Sequence, residues 1–151
     1  TPTFIRVIPL VKKLMAAHLV LTIAVLVAGT IVTGSGPHAG DTTAERFNLD
    51  AKMMSWIHAD LVIALLGVTI ALVTAIHLGE SEANKALLSR RAQIFLIVAL
   101  SQGLIGYVQY FTGLPEILVG AHLVGAILVW LSAWNIAIIG NLAGKRAEQK
   151  G

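Results

Sequence analysis

Four stretches of this chain, residues 14–40, 61–79, 92–115 and 117–144, contain no Asp, Glu, Lys or Arg and are built mainly from Leu, Val, Ile, Ala and Gly. Each supplies the roughly 20 apolar residues that a helix needs to cross a bilayer. The apolar residues come in blocks and do not alternate with polar ones, which is the pattern of helices and not of barrel strands. A helix satisfies its own backbone donors and acceptors in lipid, so a chain of such blocks has a ready solution to crossing it. With 56% hydrophobic and 13% charged residues, little remains from which to build a water-facing surface. The expectation is a single all-α domain over 1–151, an integral membrane four-helix bundle with spans at about 14–33, 54–77, 92–110 and 117–142.

The basic residues orient the expected spans. Arg6, Lys12 and Lys13 precede the first, Lys85, Arg90 and Arg91 lie between the second and third, and Lys145, Arg146 and Lys150 follow the fourth. Basic segments resist translocation, so these three belong on the cytoplasmic side, or the matrix side of an organelle, with both termini inside. Arg46 and Lys52 alone fall outside. Nine of the eleven basic residues thus serve topology, and the formal charge of +3 requires no nucleic-acid partner. Glu80, Glu82, Lys85, Arg90 and Arg91 read as a solvated inner connector. The chain has no cysteine, which excludes disulfides and thiolate ligands. It opens on Thr1, as expected of a processed product or part of something longer, and its first apolar block lacks a clean cleavage site and reads as a retained span.

Polar residues inside such spans are costly and tend to be functional. His58 follows Trp56, a residue suited to the interfacial belt, at the mouth of the second span, and His122 recurs 64 residues later near the start of the fourth. At about 1.5 Å per residue, His58 lies about 6 Å below Met54 and His122 about 8 Å below Ile117. Two imidazoles at one depth on parallel helices can hold an iron porphyrin between them, and a bundle interior is a usual place for that cofactor. His58 and His122 are therefore the expected axial ligands of a haem, and Ala121, Gly125 and Ala126 beside His122 leave room for a flat ring. The ordinary alternative is a pair of isolated core histidines.

A weak internal repeat runs the same way. Gly29, Thr33-Gly34, Pro37 and His58 in the first half parallel Gly103, Thr112-Gly113, Pro115 and His122 in the second. The first external loop, with Gly34, Gly36, Gly40 and Pro37, can present backbone N–H groups to an anion, and Arg46 can add a charge-assisted contact to a carboxylate. His38 in that loop is a candidate propionate or substrate contact. The other reading of the loop is a flexible connector. His18 is expected about 22 Å below Thr33, too deep to join the outer pair, and reads as a packing or interfacial residue. His77 mismatches His18 in depth by about 12 Å and reads as a span terminator. Asp60 lies about 200° around the helix from His58 and reads as an interfacial carboxylate, and Glu116 as a solvated residue at the outer mouth. Ala99, Gly103 and Gly106 read as close-packing positions.

These residues also carry a resemblance. Val32-Thr33-Gly34-Ser35-Gly36-Pro37-His38-Ala39-Gly40-Asp41, then Trp56-Ile57-His58-Ala59-Asp60-Leu61, then Gly113-Leu114-Pro115-Glu116 running to Gly120-Ala121-His122, resemble the second half of haem A synthase, especially its actinobacterial form. The likeness extends over nearly the whole chain. That family is an integral membrane oxidoreductase, of the prokaryotic plasma membrane in this form, which oxidises a methyl group of haem O to the formyl group of haem A for cytochrome oxidase. The resemblance implies an eight-span parent of two similar four-helix halves, with haem b near the outer face on the histidine pair of the second half, here His58 and His122. This chain lacks the first half, which in the family carries the substrate-haem histidines, an essential acidic residue and, in many members, a cysteine pair. The implied partners are the lipid bilayer, the first half or a second copy in a homodimer, and haem O synthase with the cytochrome oxidase assembly machinery. A b-type electron carrier and a cofactor-free membrane scaffold remain open as rival readings.

Overall fold

The computed structural model describes residues 6–36 and 45–148, with backbone alone over 140–148. The described chain is all-helical: α1 (Pro9–Ser35), α2 (Ala51–Gly79), α3 (Glu82–Phe111) and α4 (Glu116–Glu148). All four helices are long and apolar enough to cross a membrane. Each is longer than the span expected from its charge-free block, because the helical hydrogen bonding runs on through the charged flanks. Lys12 and Lys13 stand in the first turns of α1, and Arg90 and Arg91 lie inside α3. The charged segment expected to be a solvated connector is therefore mostly the start of α3, and only Glu80 and Ser81 link it to α2.

Local chemistry sets the helix starts. Pro9 occupies the first turn of α1, where its missing N–H costs nothing. Asp50 caps α2 by accepting from the amides of Lys52 at 2.8 Å and Met53 at 3.1 Å, and the Ser81 hydroxyl caps α3. Between α3 and α4, Gly113 (φ 77°) and Leu114 (φ 60°) turn through the left-handed region, and Leu114 N donates back to Gln109 O at 2.9 Å. Glycine takes that conformation freely, whereas a leucine there is uncommon.

The helices stand at the corners of a square. Each packs on its chain neighbours, α1 also packs on α4, and the diagonal pairs α1/α3 and α2/α4 make no close backbone approach among the described residues. Neighbours run antiparallel: Ile8 at the start of α1 meets Glu80 just after α2, and Arg91 early in α3 reaches Asn135 late in α4. The bundle has a terminal end, with the start of α1, the end of α4 and the α2–α3 link, and a loop end, with the end of α1, the start of α2 and the α3–α4 turn. Val20, Ile63, Ile70, Ile97, Leu104 and Val124 face outward. Helices apolar on every side suit a lipid surround.

Packing differs sharply between the two ends. The fully buried large side chains, Phe95, Leu72, Ile76, Leu88, Ile136, His18, Val11, Thr22 and Thr69, all lie in the terminal half. There Glu80 is buried, accepting from Ile8 N at 2.7 Å through Oε1 and from Asn84 Nδ2 at 2.7 Å through Oε2, while Asn84 also donates to Arg6 O. This clasp ties the start of α1 to the α2–α3 link. Glu80→Ala leaves the Ile8 amide without its acceptor and takes one of two acceptors from Asn84 Nδ2, and should cost about 1–3 kcal/mol, read as a lower thermal midpoint in detergent, whereas Glu80→Gln keeps an acceptor oxygen and costs less.

Candidate functional site

The loop half of the bundle is where the two histidines stand. His58 is set about 10 Å into α2 and His122 about 9 Å into α4, at one level on diagonally opposed, parallel helices. Both are half-buried, and their rings are within electrostatic reach of one another. The equal depth expected from the chain survives the longer helices because both histidines gained only a few residues of helix before them.

Each imidazole lies against a glycine on the preceding helix. A Cβ on Gly29 of α1 would come within 3.2 Å of His58 Cε1, and one on Gly106 of α3 within 3.6 Å of His122 Cε1. The structural counterpart of Gly29 is therefore Gly106 and not Gly103, as the repeat had suggested; a Cβ on Gly103 would meet nothing within 4 Å. Gly125 does not provide room for a flat ring either, since the Gln102 amide occupies the place its Cβ would take, and Ala121 is exposed.

A hydrogen bond fixes the chemistry of His58. Its Nδ1 is 3.0 Å from the carbonyl oxygen of Val25, one turn before Gly29 on α1. A carbonyl only accepts, so Nδ1 carries the proton and donates, and Nε2 is left with a bare lone pair. That is the tautomer a metal-ligating imidazole adopts when its other nitrogen is held by a carbonyl. His122 Nδ1 is buried with no hydrogen-bond partner among the described residues, as is Gln102 Oε1.

The other candidates divide clearly. Gly34 lies inside α1 with the Phe47 ring packed over it, and its carbonyl accepts from Phe47 N at 3.1 Å. Gly36 N donates to Val32 O at 3.0 Å and Thr33 O at 3.3 Å, so its N–H is engaged in closing α1. Arg46, beside Phe47, is half-buried at the same end of the bundle. His38 lies outside the described residues, with Pro37 and Gly40. Asp60 and Glu116 are exposed. His77 is exposed within α2, its Nδ1 2.8 Å from Val73 O, and the helix runs on to Gly79. His18 is fully buried about 16 Å along α1 from Gly29, its ring edge-on to Phe95 across the bundle with centroids 4.3 Å apart. It is a core residue.

No family model matches this chain, and neither a curated protein nor a solved structure matches it. Among the described residues no three His, Cys, Asp or Glu side chains converge on a common point where an ion could sit. The donor set is two imidazoles. Two nitrogens suit an iron whose remaining positions are filled by a porphyrin, and the donor set fits that group: matched depth, an Nε2 lone pair on His58 and an orphaned nitrogen on His122. Sequence reasoning singled out the two histidines and read Gly106 as a packing position, but it did not find the Val25 carbonyl or the place of Gln102. The signal for Gln102 was its four-residue spacing from Gly106, which repeats that of Val25 and Gly29.

Proposed function

We propose that this chain is a membrane haem b-binding module acting as the second half of a haem A synthase, with His58 and His122 as the axial ligands. The observation that carries the reading is their equal depth on diagonal helices, each ring beside a helix glycine. Between His58 and His122 a haem would supply one-electron transfer and not oxygen activation. The polypeptide's part is to hold the rings: α1 orients His58 through the Val25 carbonyl, and α3 makes space for His122 at Gly106. Arg46, with Gly34, Gly36 and His38 around it, is the proposed receiver of the propionates at the loop end. In this reading the loop end faces outward, and the basic terminal end lies on the cytoplasmic face of a prokaryotic plasma membrane. Oxidation of the haem O methyl group belongs to a second haem site, in a first half or across a homodimer, supplied by haem O synthase and serving cytochrome oxidase assembly.

A second reading is a b-type carrier confined to electron transfer, which needs only the imidazole pair. An absorption spectrum of the purified chain with extraction of its pigment tests the first step of both readings. The expected result is a low-spin bis-imidazole spectrum from protohaem; a colourless protein after growth with excess haem overturns both. Haem O turnover with a partner half then separates them.

A further inference from the structure

Two buried polar atoms near the site stand without partners among the described residues, His122 Nδ1 and Gln102 Oε1. They belong to facing helices. Gly106, four residues after Gln102 on α3, touches the His122 ring, and Gly125, three residues after His122 on α4, is covered by the Gln102 amide. Because α3 and α4 run antiparallel, Gln102 and His122 lie on one contact stripe about one helical turn apart. One atom is an acceptor lacking a donor. The other becomes a donor lacking an acceptor whenever Nε2 keeps its lone pair.

We propose that Gln102 is the positioning residue for His122: its side-chain carbonyl accepts the Nδ1–H hydrogen bond and holds Nε2 toward the centre of the bundle. A glutamine side chain has three rotatable bonds, and turning its amide off Gly125 carries Oε1 toward the imidazole one turn away. Gln102 then does for His122 what the Val25 carbonyl does for His58. It also occupies the matching place, four residues before the glycine that faces the ring. The two imidazoles are held by unlike groups, a backbone carbonyl that no substitution removes and a side-chain amide that one substitution can. This role deepens the haem reading and rests on it for the use of Nε2, but the hydrogen bond itself needs no haem.

The test uses the full chain in lipid nanodiscs, labelled with 15N at histidine, without haem and after haem loading. Without haem, His122 is expected as the Nδ1–H tautomer, and Gln102→Met, close in length but without the amide oxygen, should turn it into a mixture of both tautomers while His58 stays unchanged. Gln102→Glu keeps an acceptor oxygen in either charge state and should restore the single tautomer. A core-packing role for Gln102 predicts loss of thermal stability in Gln102→Met with no tautomer change. With haem, Gln102→Met should raise the midpoint potential, because an imidazole that loses its acceptor donates less charge to the metal. An unchanged His122 tautomer in Gln102→Met overturns the proposal; a shifted tautomer in a protein that takes up no haem upholds it and sinks the haem reading instead.

Discussion

His58→Ala and His122→Ala should each abolish the bis-imidazole absorbance of the purified chain while leaving its helical circular dichroism intact. The separation follows from where the packing lies. The fully buried side chains are gathered in the terminal half, and both histidines are half-buried in the other half, so truncating either leaves the core contacts in place. Loss of one imidazole removes one of the two proposed iron ligands and, for His58, the hydrogen bond to Val25 as well. The control is His18→Leu. His18 is fully buried against Phe95 with neither nitrogen partnered among the described residues, so an apolar side chain of similar size relieves an unsatisfied polar group and leaves the pigment untouched. Retention of the wild-type spectrum in His58→Ala, or its loss in His18→Leu, would place the iron ligands elsewhere.

The helix count was legible because lipid admits only a small set of backbones, and four charge-free blocks leave few arrangements. The helix limits were not. Absence of charge marks the hydrocarbon core, whereas hydrogen bonding continues into the headgroup zone, so Lys12 and Lys13, read as preceding the first span, lie in α1, and the charged segment read as a connector is mostly the start of α3. The depth of His58 and His122 survived that error since it depended on distance from two starts that moved by similar amounts. Their lateral partners could not be read at all. Every residue has a carbonyl, so nothing in the composition distinguishes Val25. Gly103 and Gly106 are three residues apart on nearly one face of α3, and only the register against α4 decides which of them meets His122.

That register also explains the unequal halves of the bundle. In the terminal half, Phe95 and His18 bridge the α1/α3 diagonal and close the axis. Toward the loop end the same two helices place Gly29 and Gly106 at the level of His58 and His122, so the diagonal is left to side chains from α2 and α4. A porphyrin standing between those helices would take the role that Phe95 takes below. If His58 and His122 hold a haem, loading should add to stability by mass action, since only the folded chain offers both imidazoles together.

Gly29 is the residue on which the His58 side of this arrangement turns. It leaves the Val25 carbonyl open one turn earlier on α1 and lets the imidazole approach; a methyl group there would sit 3.2 Å from His58 Cε1, closer than carbon atoms ordinarily pack. Gly29→Ala should therefore shift the ring by a few tenths of an ångström and weaken haem retention slightly, while Gly29→Val, whose branches cannot fold away from the neighbouring helix, should force the imidazole off the carbonyl. Loss of an outer hydrogen bond to a metal-ligating histidine typically lowers affinity about 10- to 100-fold, and displacement of the ring adds to that. Gly103→Ala, on the same helix face as Gly106 but facing open space, should retain haem at the wild-type level and gain helical propensity. Haem titration of the three variants separates the ideas: if Gly29→Val binds as tightly as Gly103→Ala, the glycine serves only helix approach, and His58 does not owe its orientation to α1.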